Sequence, residues 1–217
     1  MRILVDAGNT LTKWQLRDGP VTIDGGQGDL RTLRDWVSTL DGIKQYAIAV
    51  SCVRDDAFAQ KIQEVFLVLR GAQPHFATSS ATFAGVHNAY DEPHRLGVDR
   101  WLALLAMKAR GENSAVIIDA GTACTIDVLE NNQHLGGYVF PGMALAREAL
   151  VTNTDKIRFS ENREPSTSLG TDTGACVISG VWLTLLTTCQ NVIDRFPDAS
   201  VYLTGGSAAE LVALGLE

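Results

Sequence analysis

The stretch Val5-Asp6-Ala7-Gly8-Asn9-Thr10-Leu11-Thr12-Lys13-Trp14 decides how the chain is read. It grows out of Arg2-Ile3-Leu4-Val5, whose β-branched and apolar side chains suit a buried strand, and Gly8-Asn9 is a tight-turn pair leading into a second strand, Lys13 to Leu16. Asp6 therefore ends a strand. A carboxylate there, followed by a small-residue turn with free backbone N–H groups, a Thr10 hydroxyl and a Lys13 ammonium, supplies the parts that hold a metal-bound polyphosphate. Gly8 lets the backbone come close. Taken alone, these residues would equally make an ordinary hairpin with an Asn-containing turn.

A second stretch decides between the two. Residues 116–129, VIIDAGTACTIDVL, repeat the pattern of residues 3–16, ILVDAGNTLTKWQL, about half a chain later: apolar strand, Asp-Ala-Gly, Thr-containing turn, second strand. Such a repeat implies two similar half-domains, each offering one hairpin to a ligand in a cleft between them. On these two hairpins the chain resembles the actin-like and sugar-kinase-like phosphotransferases. That implies an α/β fold of two similar actin-like (ribonuclease H-like) halves, mixed sheet plus helices, with residues 1–98 as the N-terminal half and 99–217 as the C-terminal half.

Composition bounds the rest. With 217 residues, 46% hydrophobic and 20% charged, the chain can bury a sizeable core as one large or two small domains. A formal net charge of -7 argues against nucleic acid or an anionic membrane as a general electrostatic partner. The four cysteines, Cys52, Cys124, Cys176 and Cys189, show no CxxC or Cys/His spacing and lie in apolar stretches, which fits buried reduced thiols and a cytoplasmic protein. The N-terminus reaches Asp6 too soon for a signal-peptide core. Residues 173–193 carry no Asp, Glu, Lys or Arg, but polar groups interrupt them, and Ile178, Val181, Trp182, Leu185, Leu186, Cys189, Val192 and Ile193 recur at helical spacing. This predicts a buried amphipathic helix, packed on a sheet on one side and on a second subunit on the other, or wholly internal. In the first case a charge at its centre, at Leu185, should cause dissociation or misfolding.

Between the hairpins, strand and helix patterns alternate. Val21-Thr22-Ile23 leads to a helix near Asp29 to Leu40, then a strand from Gln45 to Val53, a helix from Asp55 to Leu69 and a short strand His75-Phe76-Ala77. Neither Gly-x-Gly-x-x-Gly nor Gly-x-x-x-x-Gly-Lys-Ser/Thr occurs, so two common nucleotide folds drop out. Residues 88–98 are polar and turn-rich until Asp99 opens a helix to about Ala109. A carboxylate and a guanidinium there, just after Gly97, can bind an anionic substrate and accept a proton from its hydroxyl. Asp99 as a mere N-cap and Arg100 as a surface charge are the alternative. His87 and His94 have no partner at metal spacing and read as structural or surface residues. Gly136 to Gly142 reads as a Gly-rich turn before a helix from Met143 to Leu150, either near a nucleotide or as a plain strand-to-helix connection.

Four motifs now occur in order: Asp6-x-Gly8-Asn9-Thr10-x-x-Lys13, Gly97-x-Asp99-Arg100, Asp119-x-Gly121-Thr122-Ala123-x-Thr125-x-Asp127 and Gly136-Gly137-x-x-x-Pro141-Gly142. In this arrangement the chain resembles the type III pantothenate kinases over nearly its whole length, extending to Leu169-Gly170 with Thr173 and to Leu203-Thr204-Gly205-Gly206. It departs in Ser207, where the family often has Asp, and in stopping soon afterwards, where family members usually continue, which leaves a truncated C-terminus open. The resemblance implies ATP-dependent phosphorylation of the primary hydroxyl of pantothenate, the first step towards coenzyme A, in a cytoplasmic homodimer. It implies that Asp6, Ala7, Gly8, Asn9, Thr10, Leu11, Thr12 and Lys13, with Thr122 from the other hairpin, hold Mg-ATP. Tyr90, Gly97, Val98, Asp99, Arg100 and Thr173 would line the pantothenate site, with Thr173 supplied by the neighbouring subunit and Asp99 as the base. Asp119 would sit at a monovalent-cation site, potassium or ammonium, neutralising charge where the second hairpin has Cys124-Thr125-Ile126 and no Lys. A non-catalytic nucleotide-binding regulator, such as a transcription accessory factor on the same fold, is the rival class, because fold alone does not fix function. A phosphatase or nucleotide hydrolase is a third and weaker one.

Overall fold

The computed structural model describes residues 1–40, 46–157 and 163–217, in two compact units. The first comprises residues 1–80 with 92–102, and the second residues 81–91 with 103–217. Where the sequence reading makes one cut between residues 98 and 99, the chain passes between the units three times.

In the first unit, β1 (Arg2–Ala7), β2 (Thr12–Asp18) and β3 (Val21–Gly28) form an antiparallel meander, followed by α1 (Leu30–Thr39), β4 (Ala47–Cys52), α2 (Asp56–Arg70) and β5 (His75–Phe76). The sheet order is β3-β2-β1-β4-β5, with β4 parallel to both β1 and β5. Gln45 lies outside the described residues. Strand alternation sets the core: Ile3, Val5 and Ala7 of β1 share a face with Trp14 and Leu16 of β2, and Leu33, Val37, Ile62 and Phe66 of the two helices cover it. Asp29 and Asp55 are N-caps, accepting from the N–H groups of Thr32 and Phe58 at 2.8 Å each. Asp55 thus stands just outside the helix it was expected to begin.

The second unit holds β6 (Thr82–Phe83), β7 (Val86–His87), β8 (Ala115–Ala120), β9 (Ala123–Glu130), β10 (Gln133–Pro141) and β11 (Ser200–Thr204), in the order β11-β8-β9-β10-β7-β6. Helices α4 (Met143–Thr152), α5 (Thr173–Arg195) and α6 (Ala208–Ala213) follow the hairpins, and α3 (Val98–Ala109) runs from one unit into the other. The predicted repeat is present as two hairpins, β1–β2 and β8–β9, but their registers differ. Asp6 stands opposite Lys13, whereas Asp119 stands opposite Thr125, because the second turn is one residue shorter. Thr125 occupies the place of the lysine in the ladder.

One expectation changes and another is narrowed. Gly136 and Gly137 belong to β10, with Gly136 at φ 114° beside a β-bulge, so only Gly142 connects strand to helix, as the N-cap of α4. Helix α5 has the length and hydropathy of a membrane span, yet Ile178, Trp182, Leu185, Cys189 and Val192 fill the core against Val116, Ile118, Cys124 and Ile126. Most of its apolar residues are therefore covered by their own chain. Leu185 is one of them, so a charge there probes the core. What remains outside is a face with Thr173, Cys176, Gly180, Leu183 and Thr184, so Cys176 is exposed where a buried thiol was expected, and part of the face lines an apolar groove of about 920 Å³ with Phe140 and Leu150. Leu185→Ala should accordingly cost about 2–5 kcal/mol in chemical denaturation, and Leu183→Ala no more than about 0.5 kcal/mol.

Candidate active site

Asp6 is the sixth residue of a chain whose odd-numbered neighbours face the core, so its side chain leaves the opposite face of the sheet. Lys13 is directly across the ladder on β2 and Ser51 is in register on β4. The turn between the strands is closed by Gly8 N–H donating to Leu11 O at 3.2 Å, with Asn9 and Thr10 exposed. The same alternation turns Ala7 and Thr12 inward, fully buried and 2% exposed respectively, so of these two only the backbone is available to a nucleotide. The Asp6 carboxylate reaches solvent but is hemmed in by protein. Loss of solvation raises its pKa above 3.8, Ser51 opposes that, the charge of Asp99 raises it further and Lys13 lowers it. Two carboxylates that feel one another leave a place where a cation or a cation-bound phosphate is welcome.

Asp99 lies in the first turn of α3. Its Oδ1 accepts from the Arg100 N–H at 2.8 Å, and a Cβ at position 97 would come within 2.7 Å of that oxygen, so Gly97 makes room for the carboxylate to fold back over the helix start. The helix itself is entered through Trp101 N–H donating to Gly97 O at 3.0 Å. Arg100 is only 9% exposed, which rules out a plain surface charge. Val98 is buried beside it in sequence.

In the second unit Asp119 is half-buried at the end of β8. The loop after it is clamped from two sides. Gly142 N–H donates to Thr122 O at 3.0 Å, and a side chain at 142 would run into Gly121 O; a side chain at Gly205 would run into the backbone of Ala120. Ser207 N–H donates to Ala120 O at 3.0 Å. The donors near this turn are one carboxylate, hydroxyls and carbonyls, and no group of three or more His, Cys, Asp or Glu suited to a metal occurs among the described residues. Hard oxygens with a single negative charge fit a monovalent cation better than zinc or another transition metal.

Tyr90 is half-buried in the segment after β7, its N–H donating to Asn88 Oδ1 at 3.0 Å. Its ring stacks on His134, a residue for which the sequence offered no signal: a lone histidine in a strand, far along the chain. His87 lies 3.3 Å from Thr82 Oγ1 and His94 is largely exposed, as a structural and a surface histidine would be. Thr173 is exposed at the first residue of α5, after the N-cap Asp172, whose carboxylate accepts from Ala175 N–H and pairs with Arg163 at 2.9 Å. The Ala175 N–H and then Arg163 hold the Asp172 pKa below the usual carboxylate value.

Two mixed sheets with helices, each sheet carrying an Asp-Ala-Gly hairpin, define an actin-like fold. Solved structures agree: a candidate Baf family transcriptional activator from Campylobacter jejuni (TM-score 0.58, 19% identity, 97% of this chain and 86% of that one) and a candidate 2-dehydro-3-deoxygalactonokinase from Sinorhizobium meliloti (0.53, 11%, 100% and 94%) share it. At such identities the likeness is one of fold. The chain belongs to the type III pantothenate kinase family, whose pattern matches residues 2–195. Relatives of that name from Marinobacter nauticus and Alcanivorax borkumensis are 34% and 32% identical to it, over 100% and 98% of this chain and 91% and 89% of theirs.

The raised pKa of Asp6 has a sign for stability. The folded state holds this proton more readily than the unfolded one, so ionised Asp6 opposes folding above its folded pKa, and the opposition vanishes below 3.8. Asp6→Asn should raise Tm at pH 7, lose that advantage as the pH falls towards 3.8, and reduce kcat/KM for ATP by about tenfold or more. Thermal melts at both pH values and steady-state kinetics measure the two effects.

Proposed function

We propose that this chain transfers the γ-phosphoryl group of ATP to the primary hydroxyl of pantothenate, forming 4'-phosphopantothenate. The observation that carries the reading, beside family membership, is the placement of Asp6, Lys13 and Asp99 in one unit, with Lys13 opposite Asp6 in the ladder and the charges of Lys13 and Asp99 both felt by Asp6. Phosphoryl transfer asks a protein for position, charge neutralisation and a proton acceptor, with little covalent chemistry of its own. Asp6 would hold the magnesium that accompanies the nucleotide, which when bound would offset phosphate charge. Thr10, Lys13 and the N–H groups of the Gly8–Thr12 turn take phosphate oxygens, and Thr122 does so from the second hairpin. Asp99 accepts the hydroxyl proton. Arg100 holds the pantothenate carboxylate with its planar fork, with Tyr90, Gly97, Val98 and Thr173 lining the substrate.

Asp119 with the Gly121–Thr122 turn would hold potassium or ammonium, which when bound would offset negative charge beside the nucleotide. Support comes from the ladder: the position that carries Lys13 in the first hairpin carries Thr125 in the second, so a hydroxyl side chain and not an ammonium stands opposite Asp119. The protein works in the cytoplasm as a homodimer, with Thr173 reaching the partner's substrate. Exposure of Thr173 beside an apolar groove supports the dimer.

Coupled ADP release with and without pantothenate tests the reaction. Release that depends on pantothenate is expected; release without it would make the protein a hydrolase, and none at all a binding protein. Asp99→Asn should keep the fold and reduce kcat by roughly 10² to 10⁴, and a near-normal rate would remove Asp99 from its role. Exchanging potassium for sodium should lower activity several-fold in the same assay, with equal rates excluding the cation from Asp119.

A further inference from the structure

Besides the groups just described, the second unit buries a polar pair that the reaction does not use. His134 on β10 is fully buried and Asp127 on β9 nearly so, with His134 Nε2 2.9 Å from Asp127 Oδ1. The other ring nitrogen, Nδ1, lies 3.4 Å from the backbone nitrogen of Ala89. A backbone N–H can only donate, so Nδ1 accepts, the ring proton sits on Nε2, and Nε2–H donates to the Asp127 carboxylate. The Tyr90 ring stacks on the same imidazole, centroids 6.2 Å apart and planes 15° from parallel.

The ends of this segment are tied as well. His87 N–H donates to Asn132 O at 3.0 Å, Asn88 N–H to Ala81 O at 2.9 Å, and the Asn88 side chain caps Tyr90 N–H in a local turn. On β10 the ladder slips between His134 and Gly136, and Gly136 takes φ 114° to allow it. A bulge of this kind re-aims the side chain before it. The buried pair, the bulge and the stacked ring thus converge on three residues, Asn88, Ala89 and Tyr90.

We propose that His134, oriented by Asp127, is a positioning residue for Tyr90, fixing the segment that presents the tyrosine to the pantothenate. The inference rests on Tyr90 touching that substrate, as proposed above. Buried polar pairs exchanged together for apolar side chains are often neutral for stability, so the pair is expected to matter for geometry more than for folding.

The test compares the double substitution Asp127→Leu with His134→Leu, which leaves no stranded charge, with Asp127→Asn, which keeps the acceptor for Nε2–H. The leucine pair should raise KM for pantothenate about tenfold with kcat and KM for ATP within about twofold, and should speed hydrogen exchange at the Ala89 amide; Asp127→Asn should restore both. Tyr90→Leu should raise the same KM, and adding it to the leucine pair should bring no further increase, since both act through one ring. If the leucine pair does not fold, His134→Gln, which keeps a donor and an acceptor but no ring, should raise the pantothenate KM several-fold. Additive effects with Tyr90→Leu, or equal shifts in both KM values, would overturn the positioning role. So would an unchanged pantothenate KM in the leucine pair, or in His134→Gln, when Tyr90→Leu raises it. An unchanged KM in Tyr90→Leu itself, or wild-type protein that releases no pantothenate-dependent ADP, would instead overturn the assignment of Tyr90 to the substrate, and the proposal with it.

Discussion

The site depends on the two-residue period of a strand. In β1 the side chains of Ile3, Val5 and Ala7 are committed to the core, which leaves Asp6 no direction but the opposite face, and the antiparallel register places Lys13 beside it on that face. A slip of one residue would exchange the two sets, burying a carboxylate and an ammonium while exposing Val5 and Trp14. The apolar residues therefore hold the charged ones in place. Because the strand period and the ladder set this arrangement locally, one short hairpin places a carboxylate and an ammonium side by side.

Close backbone approach is the second constraint. At Gly97 the missing side chain leaves room for the Asp99 carboxylate; at Gly142 and Gly205 it lets two connections press against the turn that follows Asp119. Gly205 has φ 99° in addition, where any other L-residue would be strained. A turn held in this way presents its N–H groups and carbonyls without waiting for a ligand to order them, which is the form of preorganisation that phosphate and cation sites use.

Much of this was legible in the sequence because it is written in local patterns. Alternation gave the hairpins, 3.6-residue spacing gave the helices, and Asp29 and Asp55 marked two helix starts to within a residue. The repeat revealed the paired units, but not that one turn is a residue shorter, since the similarity of residues 3–16 and 116–129 continues past the point where the registers part. Period alone showed that α5 has an apolar face and not which partner covers it; Leu185 faces its own sheet. Gly136 and Gly137 resembled a turn because glycine pairs do, whereas here a bulge inside β10 requires one of them. His134 left no trace, because its partners Asp127, Ala89 and Tyr90 are brought to it only by the pairing of β10 with β9 and β7.

The strand order of the second unit has a consequence in time. β11 pairs with β8 in parallel, across a connection that includes β9, β10, α4 and α5, and it is Gly205 and Ser207, just after β11, that close against the end of β8. At typical synthesis rates of about 5–20 residues per second, the turn after Asp119, with only Gly142 to press against it, waits roughly 4–17 s on the ribosome for the residues that close its other side. During that interval one edge of β8 is open, a strand whose Val116, Ile117 and Ile118 are among the most apolar in the chain. The first unit has by then made all of its strands, so the nascent chain holds a nearly built half beside one whose exposed edge is a place for a chaperone to bind.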